Sequence, residues 1–267
     1  MLSLAIGPFA LSISHLLLFA ALAVASLVAW KTRSEGKPDA LIFWLFMLAL
    51  LVARLAFVAQ YWALYREQPW QVLDLRDGGF SPWVGLGAGV LAATLAVSRR
   101  AHLRRPLSLG VASGVLLWLA GTGLAQMHNQ STGFPQAALY TGTGKPVLLA
   151  EHQGQPMVVN LWATWCPPCR REMPVLVQAQ QQNPKIRFVF VNQGESPDTV
   201  SAFLGAAGVP MEQVLFDPEG SFAREVGSMA LPTTLFYSAD GKLLGNHLGE
   251  LSAASLTHGL EVFKTEP

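Results

Sequence analysis

The chain has 267 residues, of which 51% are hydrophobic and only 13% charged, and its mean hydropathy is positive at +0.36. That balance is too apolar for one soluble globule, and a formal net charge of +1 leaves no electrostatic footprint for nucleic acid. Two cysteines exclude a small fold stapled by several disulfides.

The apolar excess lies in residues 1–126, which read as a transmembrane domain. Four stretches approach the 20 residues needed to cross a bilayer, at about 6–30, 40–65, 80–98 and 107–125. The first is not a cleavable leader, because no Lys or Arg precedes its apolar run. Lys31, Arg33 and Lys37 follow it, and Arg99, Arg100, Arg104 and Arg105 follow the third stretch. The intervening loop carries only Arg66 and Arg76. The bias of basic residues places the N-terminus and the C-terminal half outside the cytoplasm. Gly85, Gly87 and Gly89, with Gly110 and Gly114, have the small-residue spacing of closely packed membrane helices. Arg54 is an intramembrane charge, either a functional residue or one facing its neighbours in the bundle. His15 reads as a hydrogen-bonded packing residue.

Residues 127–136 are polar, with Gly133 and Pro135, and read as a linker. Residues 137–267 then alternate strand and helix signals. An early strand pair is expected at 137–140 and 146–149, a buried strand at 157–163, and a helix from the cysteine pair to about 182, kinked at Pro174. A buried strand at 185–192 completes a βαβ unit. A helix at 196–207 capped by Gly208, an inserted strand at 213–216 with a helix at 218–226, a hairpin turning at Ala239-Asp240-Gly241, and a closing helix at 252–263 complete the domain. The fold class expected is a four-helix transmembrane bundle followed by an α/β domain with a mixed central sheet flanked by helices.

The chemistry concentrates in Cys166-Pro167-Pro168-Cys169. Thiol–disulfide exchange needs a thiolate, and Cys166 falls at a helix start, where unpaired N–H groups and the macrodipole favour an anion. Pro167 and Pro168 fit the first helical positions, where an N–H is not needed. Cys169 lies one turn inward, placed to resolve a mixed disulfide. Glu172 shares its helix face three residues on and is a candidate proton carrier. Zinc is excluded as a ligand of this pair alone, since there is neither a second C-x-x-C nor an H-x₃₋₅-H pattern.

The segment Asn160-Leu161-Trp162-Ala163-Thr164-Trp165-Cys166-Pro167-Pro168-Cys169-Arg170-Arg171-Glu172-Met173-Pro174 resembles the active-site segment of the TlpA/ResA/CcmG-type disulfide reductases, membrane-tethered thioredoxin-like domains of bacteria. The resemblance covers roughly 134–265. It implies Cys166 as nucleophile, Cys169 as resolving thiol and Glu172 as the acid near the pair. It also implies a cis-proline loop at Leu231-Pro232-Thr233 facing the dithiol, with Trp165 and Pro167 on the substrate side. Thioredoxin's buried aspartate is replaced here by Asn160, which shifts the proton-relay role to Glu172. The membrane half faintly resembles the first part of prolipoprotein diacylglyceryl transferase, through Ile6-Gly7-Pro8, Ala53-Arg54-Leu55 and residues 78–86. The functional histidine of that family is matched by Trp83, so lipid transfer is not expected.

These observations converge on a thiol:disulfide oxidoreductase in a bacterial inner membrane, spanning it several times and reducing protein disulfides on the extracytoplasmic side. The same chemistry run backwards gives a disulfide-donating oxidase, and a non-enzymatic assembly module is the reading from another class. No cofactor or metal is expected beyond the Cys166–Cys169 disulfide. The membrane half has no cysteine, so electrons require a separate donor; the remaining partners are protein disulfides and membrane lipid.

Overall fold

The computed structural model describes residues 3–6, 9–33, 38–131, 133–208, 213–228 and 230–264. Gly7, Pro8 and Lys37, used above, lie outside the described residues. The chain divides into two compact units, one formed by Ile13–Asp74 with Gly79–Gln126, the other by Met1–Ser12, Leu75–Gly78 and Met127–Pro267.

The first unit is helical. It contains α1 (Ile13–Thr32), α2 (Pro38–Gln60), the short α3 (Trp62–Tyr65), α4 (Pro82–Arg99) and α5 (Arg104–Ser131). Three helical stretches among the described residues are long and apolar enough to cross a bilayer: Ile13–Thr32, Pro38–Gln60 and Ala101–Asn129. The expected third span, α4, falls at the margin. Its 18 residues reach only about 27 Å at 1.5 Å per residue, with Pro82 at one end and Arg99 at the other. The first span also begins later than expected. Residues before it form a hairpin of β1 (Ser3–Ile6) and β2 (Phe9–Ser12), with Ser3 opposite Ser12; the Gly-Pro pair in the sequence disfavours helix there.

Small residues bring these helices together. A Cβ on Gly85 would come within 2.7 Å of the Ala49 carbonyl on α2, and one on Gly114 within 2.9 Å of the Ala21 carbonyl on α1. Gly87, of the same expected series, faces open space. A core of Ala25, Ala29, Ile42, Ala93, Leu103 and Leu107 forms between the helices, while Phe19, Trp44, Leu51, Leu55 and Leu116 point outward and exposed. Such an apolar exterior suits lipid rather than water.

Arg54 is 5% exposed and is spent on main chain. Its guanidinium donates to the carbonyls of Gln71 (3.0 Å), Val72 (3.1 Å), Asp74 (2.9 Å) and Gly79 (2.8 Å). The Tyr65 and Phe80 rings lie 5.4 and 5.9 Å from it. Arg54 therefore organises the segment between α3 and α4. Removing it by Arg54→Leu strands one buried acceptor, the Gly79 carbonyl, and three part-buried ones, the buried one alone costing about 1–3 kcal/mol. A loss of about 3 kcal/mol or more is expected in detergent thermal unfolding, with faster tryptic cleavage at Arg66 and Arg76. Arg54→Lys should recover only part of it, because an ammonium lacks the planar fork. His15 lies exposed near the start of α1.

The second unit is built on a seven-stranded sheet in the order β4-β3-β7-β6-β5-β8-β9. In chain order these are β3 (Leu139–Tyr140), β4 (Pro146–Val147), β5 (Met157–Trp162), β6 (Arg187–Gln193), β7 (Val214–Asp217), β8 (Thr233–Tyr237) and β9 (Leu243–Leu248). β5, β6 and β7 run parallel; β8 and β9 close one edge antiparallel. The helices are α6 (Pro167–Gln182), α7 (Pro197–Ala207), α8 (Ser221–Glu225) and α9 (Ala253–Leu260). This is the mixed, helix-flanked sheet of a thioredoxin-like domain, with the expected strand-and-helix insertion.

β5 is buried at all six positions because both its faces are covered. Alternation along it sends Val158 and Trp162 to one core, shared with Cys169, Met173, Leu176 and Phe190. Val159 and Leu161 go to the other, with Val191, Leu215, Leu235 and Tyr237. α6 continues through Pro174 and buries Cys169, Glu172, Met173, Leu176 and Ala179, a helical stripe. α8 starts later than expected, at Ser221, because the Asp217 carboxylate accepts from Ser221 Oγ (3.2 Å) and Ala223 N–H (3.0 Å). The stretch expected as a linker is more ordered than its composition suggests. α5 continues to Ser131, and Phe134 is buried against Tyr237 at 5.3 Å between ring centres. The main-chain N–H groups of Gln136 and Ala137 are held by the Glu225 carboxylate at 2.8 and 2.7 Å.

Candidate active site

β5 ends at Trp162, and three residues later the chain turns into α6 with Cys166 as its N-cap. Cys166 Sγ accepts from the Cys169 N–H at 3.3 Å, one of the orphan donors of a helix start. Pro167 and Pro168 occupy the first two helical positions, where proline costs no bond. The two sulfurs are joined in a disulfide of 2.03 Å. Cys169 is fully buried and Cys166 only 3% exposed, whereas Trp165 beside it is 67% exposed. Both sulfurs are thus buried in the oxidised state, and the exposed group at the turn is the Trp165 indole.

Opposite the dithiol turn, the Leu231–Pro232 peptide bond is cis. Antiparallel register sets Thr233 across from Leu161, at the end of β5 that feeds the cysteines. Leu231 is partly exposed and Pro232 buried. Thr233 differs from its expected role on the substrate side. It is 1% exposed, and its hydroxyl donates to the Ala230 carbonyl at 2.7 Å while lying 2.7 Å from Ser228 Oγ. It braces the loop from inside, since the first residue of β8 points into the domain. Pro167 is exposed and, with Arg170, Arg171 and Phe203, lines a shallow depression beside the disulfide. Another hollow, lined by His152, Gln155, Arg187 and Gln213 among others, lies at the starts of β5 and β6, the end of the sheet away from the sulfurs.

Glu172 is completely buried. Its Oε1 accepts from Asn160 Nδ2 at 2.8 Å, and its Oε2 from the Leu251 N–H at 2.8 Å. Burial raises its pKa to about 8, against the opposing pull of those two donors. At neutral pH it therefore carries a proton on the same helix face as Cys169, three residues away. Asn160, in the strand position of thioredoxin's aspartate, positions that carboxyl and also donates to Thr234 Oγ at 3.0 Å.

One residue of the site was not found in the sequence. Glu195, just after β6, accepts from Thr164 N–H (2.7 Å), from Thr164 Oγ–H, and from Asn192 Nδ2 (2.7 Å). The available signal was an acid at the carboxyl end of a parallel strand, where sites of α/β sheets collect.

Comparison with known proteins divides the chain at the same place. Residues 129–258 match the Redoxin family model, and residues 2–122 match that of prolipoprotein diacylglyceryl transferase. The thiol:disulfide interchange protein CycY of Rhizobium leguminosarum bv. viciae is 31% identical over 134 residues, covering 50% of this chain and 72% of the relative. The thiol:disulfide interchange protein DsbE of Escherichia coli K12 is 34% identical over 100 residues, 38% of this chain and 53% of that protein. The thiol-disulfide oxidoreductase ResA of Halalkalibacterium halodurans is 26% identical over 151 residues, 56% of this chain and 84% of the relative.

Proposed function

From the premise that this chain belongs to the Redoxin family, as a thiol:disulfide oxidoreductase, we propose that it reduces disulfides of protein substrates outside the cytoplasm of a bacterium. Its helical half anchors it by several passes through the inner membrane. The observation that carries the reading is the position of Cys166 at the N-cap of α6, with Glu172, a buried carboxyl whose pKa is raised to about 8, three residues after Cys169 on the same helix.

In the reduced enzyme the Cys166 thiolate attacks one sulfur of the substrate disulfide. A Cys166–substrate disulfide forms, and the substrate's other sulfur leaves as a thiolate that takes up a proton. Cys169 then loses its proton and attacks Cys166 Sγ, breaking the mixed disulfide and releasing the second substrate thiol. Two electrons pass to the substrate, and the enzyme is left with the Cys166–Cys169 disulfide. The ionised fraction of Glu172 accepts the proton that Cys169 loses in this step and passes it on to the released substrate thiolate or to water. Leu231, preceding the cis-proline, offers main-chain N–H and C=O groups to the incoming strand, and Trp165 and Pro167 flank it.

Regeneration needs a dithiol donor separate from this chain, because the helical half contains no cysteine. The helical half serves as scaffold rather than lipid transferase, since Trp83 has no titratable group and packs edge-to-face on Trp118 at 5.8 Å. Redox titration of the full chain in detergent tests the direction. A potential below about −200 mV supports a reductase; one near about −120 mV makes it an oxidase. A membrane-impermeant maleimide should label Cys166 in intact, reduced spheroplasts, and labelling only after lysis would reverse the topology.

A further inference from the structure

We propose that Glu195 is a positioning residue for the exchange reaction, holding the Thr164-Trp165 turn so that Cys166 and the exposed indole present one geometry to substrate; the proposal rests on the oxidoreductase reading above. The turn between β5 and α6 has little to hold it from within. Among the described residues its one local main-chain tie is the long Cys166 N–H to Ala163 carbonyl bond at 3.3 Å. Glu195 supplies the rest from another element. One carboxylate oxygen takes both the Thr164 N–H and the Asn192 amide, and the other takes the Thr164 hydroxyl.

Two features separate this arrangement from ordinary packing. The carboxylate engages both the main chain and the side chain of one residue, which fixes the turn's orientation as well as its position. Asn192 is fully buried and directs its amide to Glu195, while its own Oδ1 finds no hydrogen-bond partner among the described residues. The neighbouring Trp162, paired with Asn192 across β5 and β6, is also fully buried. Asn192 thus orients Glu195 through a buried amide on the strand next to the one that feeds the turn.

The test uses the full chain in detergent and a disulfide-linked peptide substrate. Glu195→Ala is expected to lower kcat/KM about tenfold, with the larger part in KM because the indole beside Cys166 loses its fixed orientation. Glu195→Gln should restore kcat/KM to within about twofold. Its carbonyl still accepts from Thr164 N–H and Asn192, and its amide donates to Thr164 Oγ. Thr164→Val should give an intermediate loss, and its combination with Glu195→Ala should add nothing further. A purely structural residue would instead lower the unfolding temperature and leave KM of the folded fraction untouched. Unchanged KM in Glu195→Ala, or equal losses in the Gln and Ala variants, overturns the proposal. If Glu195→Ala does not fold, Thr164→Val alone decides, and wild-type KM there overturns it. A wild type that turns over no peptide disulfide removes the oxidoreductase reading, and this proposal with it.

Discussion

Cys169→Ser is expected to convert the enzyme into a covalent trap. Without the resolving thiol, the Cys166–substrate disulfide persists, so steady-state turnover falls by at least about 10³-fold while the first attack still occurs. Cys169 is buried and its hydroxyl analogue is slightly smaller, so the domain should remain folded. Non-reducing electrophoresis of cells carrying this variant should show adducts that disappear with reductant. The same adducts should be absent from a Cys166→Ser, Cys169→Ser double variant. Adducts formed through any other position cannot arise, because the chain has no third cysteine. Alkylation adds a complementary readout: in the reduced wild type, iodoacetamide should modify Cys166 first and leave the sealed Cys169 largely unreacted. A Cys166 that resists both substrate and alkylating agent in the reduced state would end the mechanism.

Glu172→Gln should alter both the rate and the pH dependence of stability. The folded pKa of about 8 lies above the ordinary value of 4.5. Between those values the folded chain holds a proton that the unfolded chain has released. Stability from this group is therefore complete below about pH 4.5 and is lost as pH rises through about 8. At 1.36 kcal/mol per pKa unit the difference amounts to roughly 5 kcal/mol across that window. Chemical denaturation of wild type should show this fall between pH 5 and 8.5, and Glu172→Gln should flatten it. The glutamine fits locally. Its oxygen can accept from Leu251, and its amide meets Asn160, whose Oδ1 has no partner among the described residues and can turn to accept. Turnover should drop about 10²-fold through loss of the proton carrier, with adduct formation through Cys166 preserved. A variant with wild-type turnover and the wild-type pH slope would show that Glu172 neither carries the proton nor titrates near 8.

The parts of this protein legible in sequence share one property: their determinants are close in the chain. The dithiol, its proline pair, the cap at Cys166 and the stripe through Glu172 and Leu176 all fall within one strand–turn–helix segment, where periods of two and about 3.6 residues dictate which side chains share a face. The Gly208 cap, the hairpin between β8 and β9 and the cis peptide at Pro232 could likewise be anticipated, the last only through resemblance to a family motif. Bilayer-length apolar runs were readable for α1, α2 and α5, and the run at 80–98 was read as a span as well; as α4 it has 18 residues and falls at the margin, because glycine and alanine make it apolar without making it strongly hydrophobic.

What the fold alone decided were pairings across long separations. Glu195 meets Thr164 from 31 positions away, and Leu251 reaches Glu172 across 79. Arg54 closes on carbonyls 17 to 25 residues downstream. Thr233 turns inward because β8 lies in one register against β5 and not the next. Local periodicity says which way a side chain points along its own element. Its partner is chosen by strand order, register and packing of the whole unit. The residues that carry exchange could therefore be named from the chain, whereas those that hold them in place emerged only from the folded domain.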